Sequence, residues 1–174
     1  MFRSRSSSRC IAAALLTLAP ALAAQTRHPS IDARVQRLED IEEIRRVLTD
    51  YGRFLDARDF AAYSHLFAKD GEWVGGMGTV KGPTAIQAFM EKNIPGPNTT
   101  HNYHLLSNFE IDVHGDTATA WSRWAFIVPG PDQKPAMAQG GRYDDVLVRE
   151  DGHWRFKRRT ASNDLPAAGP VQTK

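Results

Sequence analysis

Apolar residues recur at helical spacing in the first half of the chain and alternate with polar residues in the second half. Between Ile31 and Leu55 they follow one another at steps of three and four, which predicts one long amphipathic helix with a continuous stripe facing the core. The stripe consists of Ile31, Val35, Leu38, Ile41, Ile44, Leu48, Tyr51 and Leu55. Tyr51 is therefore expected to face the core, and Asp56 follows at the point where the periodicity stops.

The rest of the pattern predicts two further helices and then a series of long strands. A short helix is expected from Asp59 to Phe67 with Gly71 breaking it, then a strand over Glu72–Val74, a glycine turn and a short return strand over Thr79–Lys81. Pro83 fits the first turn of the third helix, which runs to about Lys92. The later strands are predicted at His101–Val113, Thr117–Val128, Met137–Arg149 and His153–Ala161.

This order of elements indicates an α+β fold, with three N-terminal helices packed on a strongly bent antiparallel sheet. A bent sheet that is closed by a long helix leaves a cone-shaped pocket, in which each polar side chain needs a partner. About 150 residues are enough for one domain with one core. We expect that domain to span residues 31–163 and residues 164–174, rich in Pro, Ala and Gly, to form a disordered tail.

Residues 1–24 have the pattern of a secretory signal peptide. Arg3, Arg5 and Arg9 precede a short apolar run, and small residues follow, with cleavage expected near Ala23 or Ala24. The apolar run is too short to span a bilayer, so we expect a secreted or periplasmic protein with no membrane association after cleavage. An uncleaved anchor is the alternative interpretation.

Removal of the signal changes the charge and cysteine content. The three arginines lower Lys+Arg from 22 to 19 against 20 Asp+Glu, so a net charge of +2 becomes −1. Nucleic-acid binding, which needs a clustered basic face, loses its compositional support. The single cysteine, Cys10, is also removed, so neither a disulfide nor a thiol nucleophile is expected.

The residues alone leave two questions about the site open: the role of Asp56, and which histidine of the first long strand faces inward. A carboxylate at position 56 is unfavourable beside the negative end of the helix dipole, although it could cap or turn the chain, as Asp59 could equally do. Strict alternation places His101 and Tyr103 on the inner face, and only a bulge near Asn108 turns His104 inward. The two histidines point to opposite faces of a strand, so no metal site is expected.

The motifs nevertheless carry a family resemblance that covers about Ile31 to Asn163. The chain resembles SnoaL-like members of the nuclear transport factor 2 (NTF2-like) superfamily, nearest the branch of scytalone dehydratase, bile-acid 7α-dehydratase and hexachlorocyclohexane dehydrochlorinase. The matching motifs are Ile41-x2-Ile44-x6-Tyr51-x4-Asp56, Tyr63-x2-Leu66-Phe67-x2-Asp70-Gly71, Lys81-Gly82-Pro83, His104-x3-Asn108, Gly115-Asp116-Thr117-Ala118, Gly141-Arg142-Tyr143 and Arg149-x-Asp151-Gly152-x-Trp154.

The resemblance implies a site and a reaction. By resemblance Asp56 and His104 form the His-Asp pair that removes a proton, and Tyr51 projects from the first helix beside them. Tyr51 differs from the lysine of the dehydrochlorinase and agrees with the dehydratases. Apart from the resemblance, Arg142 or Tyr143 could supply a second polar contact, although an arginine on a hairpin strand is more often a surface residue, and Trp73 is a further candidate substrate contact.

The expected function is that of a cofactor-independent, dehydratase-like lyase acting on a small hydrophobic cyclic molecule. The alternative is a non-catalytic exported protein that holds such a molecule in the same cone. Large apolar residues on both faces of the Thr117–Val128 strand predict a homodimer or higher homo-oligomer through the outer face of the sheet. The alternative is that the C-terminal segment covers these residues.

Overall fold

The computed structural model describes residues 29–165, so the proposed signal peptide and most of the expected tail lie outside the described residues. The described residues form three helices and one six-stranded sheet. The elements are α1 Ile31–Ala57, α2 Phe60–Ser64, β1 Phe67–Gly75, β2 Gly78–Lys81, α3 Pro83–Asn93, β3 Tyr103–His114, β4 Thr117–Pro129, β5 Pro135–Glu150 and β6 His153–Leu165. No helix among these residues is long and apolar enough to cross a membrane.

The α+β architecture is confirmed. The helices lie against one face of a bent sheet, and the strand order of that sheet is β2-β1-β6-β5-β4-β3. Strands β3 to β6 form the expected antiparallel meander, whereas β1 runs parallel to β6. The β5–β6 hairpin turns at Asp151-Gly152 with φ of 53° and 82°, the left-handed conformation that a two-residue turn requires. Pro83 begins α3 as predicted.

The apolar stripe of α1 is not continuous, which corrects the prediction. Ile44, Leu48, Tyr51 and Leu55 are buried, whereas Ile31, Val35 and Leu38 are 71%, 46% and 66% exposed. Each three-residue step falls about 60° short of a full turn. Three such steps in succession, from Val35 to Ile44, therefore rotate the stripe by about 180°, to the opposite side of the helix.

Helix α2 is shorter than expected, and the residues assigned to its end belong to β1. Asp59 caps it, as its side chain accepts a hydrogen bond from the Ala62 N–H at 3.0 Å. The helix ends at Ser64, and the Leu66 carbonyl already accepts from the Phe156 N–H at 2.8 Å. Gly71 lies inside β1, where a Cβ atom would stand 2.5 Å from the Phe156 carbonyl oxygen. The glycine permits strand contact and does not break a helix.

At the other end of the chain, β6 continues through Leu165, two residues beyond the expected domain boundary. The Asp164 carboxylate pairs with Arg142 on the neighbouring strand β5 and with Arg123 on β4, one strand further. Asp164 and Leu165 therefore belong to the sheet and not to a tail.

Candidate active site

A carboxylate and an imidazole meet where the end of α1 crosses β3. One Asp56 carboxylate oxygen lies 2.7 Å from His104 Nδ1, and the other accepts the His104 backbone N–H at 2.8 Å. Both side chains are mostly buried, with 15% of His104 and 18% of Asp56 exposed. Asp56 thus holds the ring and the backbone of one residue, which is not the role of a helix cap.

A bulge in β3 decides which histidine faces inward. The register between β3 and β4 shifts between Ser107 and Glu110, and Asn108 takes a positive φ of 55°. The extra residue reverses the alternation, as the sequence required for His104 to face inward. His101 precedes the strand and lines a separate surface cleft near Pro129 and Pro135.

The loop before β3 is tied to the end of α1 by Asn98. Its side-chain nitrogen donates to the carbonyl oxygen of Asp56 at 3.0 Å and to that of Asn102 at 2.7 Å. This contact holds the start of β3 near the carboxylate. Sequence reasoning missed Asn98, because a loop asparagine directly after a Pro-Gly-Pro segment is equally typical of a turn.

A largely apolar cavity of about 460 Å³ opens beside the Asp56–His104 pair. Its volume falls in the range of small-molecule sites. The side chains of α1, of the β1–β2 turn and of the meander strands line it, with His104 among them. The lining residues are Tyr51, Leu55, Arg58, Trp73, Gly76, Met77, Ile94, His104, Trp124, Phe126, Gln139, Tyr143, Ala161 and Asn163.

Three of the predicted site residues meet in this cavity as an aromatic wall. The Trp73 indole N–H donates to the Tyr51 hydroxyl at 3.0 Å, which leaves the hydroxyl hydrogen of Tyr51 available to another acceptor. The Tyr143 ring meets Tyr51 edge-on at 5.3 Å and stacks on Trp124 at 5.9 Å. Burial is the main reason that the pKa of Tyr143 lies well above its usual value of 10.0.

Arg142 does not reach the cavity, although sequence analysis proposed it as a substrate contact. It alternates with inward-facing Tyr143, so its side chain lies on the outer face of the sheet. There it pairs with Asp144 and Asp164 and remains 40% exposed. Only its carbonyl oxygen points back to the aromatic wall, where it accepts the Trp124 indole N–H at 3.2 Å.

A buried ion pair beneath the cavity was missed by sequence reasoning. Arg159 Nε and one terminal guanidinium nitrogen each donate a hydrogen bond to one Asp145 carboxylate oxygen, at 2.8 Å in both cases. Both side chains are fully buried. The guanidinium lies 3.9 Å from the Tyr51 ring centroid and 4.1 Å from that of Tyr143. Asp145 was the available signal, because alternation places it inward between Tyr143 and Leu147 and a buried carboxylate needs a cation.

A second bulge explains why Arg159 was overlooked. Val146 pairs with Arg158 but Leu147 pairs with Phe156, so Lys157 is the extra residue and the alternation of β6 reverses after it. Burial raises the pKa of Asp145 against the pull of the guanidinium. Burial opposes the charge on Arg159 too, but the Asp145 carboxylate outweighs it, and the pKa of Arg159 is raised.

Among residues 29–165, no group of three or more His, Cys, Asp or Glu side chains is close enough together to bind a metal ion. The ionisable groups that line the cavity are the His104 imidazole, with the Asp56 carboxylate behind it, the phenols of Tyr51 and Tyr143, and the guanidinium of Arg58.

The fold and the cavity define an NTF2-like cone with a His-Asp pair at its side. A family model described as the SnoaL-like domain matches residues 36–160. This match covers most of the chain, and the protein belongs to the SnoaL-like family. The resemblance read from the sequence motifs is thereby confirmed.

Similar proteins agree with this assignment. The uncharacterized protein Rv2910c of Mycobacterium tuberculosis is 30% identical over 130 residues, which cover 72% of this chain and 86% of that protein. A solved NTF2-like protein with a cystatin-like fold from Novosphingobium aromaticivorans is 29% identical with a TM-score of 0.70, covering 79% of this chain and 90% of that one. A protein of the same organism, provisionally named scytalone dehydratase, has a TM-score of 0.61 at 24% identity, covering 81% and 99%.

Proposed function

We propose that this protein is a dehydratase-like lyase, independent of any cofactor, that acts on a small hydrophobic cyclic substrate. The observation that carries the proposal is the 2.7 Å contact between Asp56 and His104 Nδ1 at the wall of an apolar cavity. A carboxylate on one imidazole nitrogen leaves the other nitrogen unprotonated, and that nitrogen can accept a proton. The substrate is proposed to lie in the cavity between the imidazole and the aromatic wall.

The reaction needs one base and returns it to its starting state. His104 Nε2 takes a proton from a carbon next to the one that bears a hydroxyl group, and the C–H electron pair becomes the new double bond. The C–O bond breaks, and the imidazolium returns its proton to the leaving oxygen, which departs as water. Asp56 stabilises the imidazolium while it exists, because its carboxylate faces the protonated Nδ1.

Tyr51 is proposed to hold the substrate. Its hydroxyl accepts the Trp73 N–H, so its own hydrogen can be donated to a substrate oxygen. A donor fixed in an apolar wall stabilises the negative charge that develops on a carbonyl oxygen when the neighbouring proton is removed. A substrate with a carbonyl group beside the acidic carbon would make use of this donor.

The provisional scytalone dehydratase of N. aromaticivorans supports the proposal at the level of fold. The second candidate function is non-catalytic binding of an apolar ligand, favoured by the aromatic wall of the cavity, which needs no chemistry to hold a ring. The two functions differ in one measurable property: a lyase consumes the bound molecule, whereas a binding protein leaves it unchanged.

The test is to incubate the purified protein with a panel of cyclic β-hydroxy ketones and to follow the absorbance of the conjugated product. We expect turnover by the wild type and by His101→Ala, whose ring lies outside the cavity. We expect none by His104→Ala. Binding without turnover across the panel, or equal rates for wild type and His104→Ala, would decide against the lyase.

A further inference from the structure

The cavity carries one charged side chain whose role the proposed reaction does not explain. Four of the described residues that line the cavity are ionisable: His104, Tyr51, Tyr143 and Arg58. Of these, only Arg58 is permanently charged. None of the ion pairs found within residues 29–165 includes Arg58. Its one side-chain hydrogen bond to a described residue, at 3.0 Å, goes to the Leu55 carbonyl oxygen. Arg58 therefore lines the cavity with most of its five donors unused by the described residues.

The backbone at Arg58 makes the choice of residue unusual. Arg58 ends α1 in the left-handed conformation, with φ of 60° and ψ of 24°, and the Asp59 N–H closes the cap on the Phe54 carbonyl. Glycine is the usual residue at such a helix end, because a Cβ atom is disfavoured there. Strain held at a cavity wall points to a function for the side chain.

Two amides also line the cavity. Gln139 on β5 and Asn163 on β6 line the cavity, and Asn163 pairs in register with Gly141, two residues from Gln139. Together with Arg58 they are more exposed than Tyr51, Trp73 and Trp124 on the aromatic wall. The cavity therefore combines buried aromatic side chains with more exposed polar ones, which offer hydrogen-bond donors and one positive charge.

We infer that the substrate is an apolar ring that carries a carboxylate, which Arg58 binds near the opening of the cavity. A guanidinium matches a carboxylate with two parallel hydrogen bonds, and one unpaired positive charge balances one negative charge. The ring would lie against the aromatic wall, and Gln139 and Asn163 would offer further donors to polar groups of the substrate. This inference rests on the proposed use of the cavity as the substrate site, and it narrows the substrate class to hydrophobic carboxylic acids.

The experiment measures binding, not turnover, so it remains informative if the lyase proposal fails. Naphthoate and naphthamide have the same ring and nearly the same shape, but only the first is charged. Titration calorimetry of wild type with each probe gives a carboxylate preference, which we expect to be roughly ten- to a hundredfold, the usual contribution of a charge-assisted hydrogen bond. Arg58→Gln should abolish this preference, and Arg58→Lys should retain part of it.

The matched controls separate this role from two others. Arg46 lies on the exposed face of the same helix, 73% exposed, so Arg46→Gln should leave the preference unchanged. His104→Gln should also leave it unchanged, whereas loss of the preference in His104→Gln alone would assign the anion to the imidazole and overturn the inference. Equal affinity of wild type for the two probes, or a preference that survives Arg58→Gln, would overturn it as well.

Arg58→Gly tests whether the arginine serves only as a helix cap. Glycine adopts the left-handed conformation without the Cβ penalty, so the thermal midpoint should not fall, while the carboxylate preference should be lost. A lower midpoint with the preference intact would assign Arg58 to stability alone and overturn the inference.

Discussion

Replacement of Asp56 by Asn should leave the His104 ring in place but prevent it from acting as the base. The backbone N–H of His104 lies 2.8 Å from one carboxylate oxygen and can only donate, so it will claim the single oxygen of the amide. The amide NH2 then faces Nδ1, which lies 2.7 Å from the other oxygen in the wild type. Two donors cannot share that contact, so the ring proton moves to Nε2.

The cost follows from this change of tautomer. With Nε2 protonated, the nitrogen that faces the substrate can no longer accept a proton, and the carboxylate that stabilises the imidazolium is absent. A wrong tautomer of this kind reduces kcat by about ten-thousandfold in serine proteases, and loss of a general base typically costs about a hundredfold to ten-thousandfold. Packing is preserved, because the amide has the shape of the carboxylate.

The prediction can be checked without knowledge of the substrate. Long-range nitrogen–proton NMR correlations distinguish the two tautomers of each histidine, and we expect the proton of His104 on Nδ1 in the wild type and on Nε2 in Asp56→Asn. Asp59→Asn is the matched control, because Asp59 caps α2 nearby without contacting the ring. If His104 keeps its proton on Nδ1 in Asp56→Asn, or if that variant turns over substrate at the wild-type rate, the reasoning is refuted.

Three further predictions concern stability and assembly. Arg159→Met leaves Asp145 buried without a cation and should lower the free energy of unfolding by about 3–5 kcal/mol in urea titrations. Arg158 is exposed, so Arg158→Met should change that free energy little. Equal losses in the two variants would contradict a stabilising role of the buried pair. Burial raises the pKa of Tyr63 and Tyr143 well above 10.0, so the folded state disfavours tyrosinate and stability should fall as pH rises above that value. In an alkaline titration their tyrosinate absorbance should appear together with unfolding, and its appearance in the folded protein would refute this. Apolar side chains exposed on the outer sheet face predict a homodimer or higher homo-oligomer, and a monomer mass by light scattering at micromolar concentration would rule it out.

The sequence was a good guide wherever local geometry decides the outcome. Helical spacing from Ile44 to Leu55 placed Tyr51 in the core, and the Asp151-Gly152 turn defined the last hairpin. The order of helices and strands indicated the α+β class. Such features depend on residues close together in the chain, so a single sequence contains the information to predict them.

The errors came from places where the register changes. Three short steps after Val35 turned the α1 stripe away from the core, and the bulge at Lys157 placed Arg159 inside. Arg142 was proposed beside Tyr143 as a substrate contact, although alternation sends its side chain to the outer face of the sheet. A shift of one residue in a strand exchanges its two faces, so an unrecognised bulge reverses every later assignment.

By itself the sequence indicated the order of helices and strands, and its family resemblance pointed to a carboxylate and an imidazole as the two chemical groups of the site. The tertiary structure decided which histidine those groups include, because Asp56 and His104 are 48 residues apart and meet only after α1 has packed across β3. It also decided that Asp145 and Arg159 form an ion pair and that Arg58 faces the cavity. Contacts of this kind depend on how strands pair and where they bulge, which packing of the whole domain selects and local sequence does not.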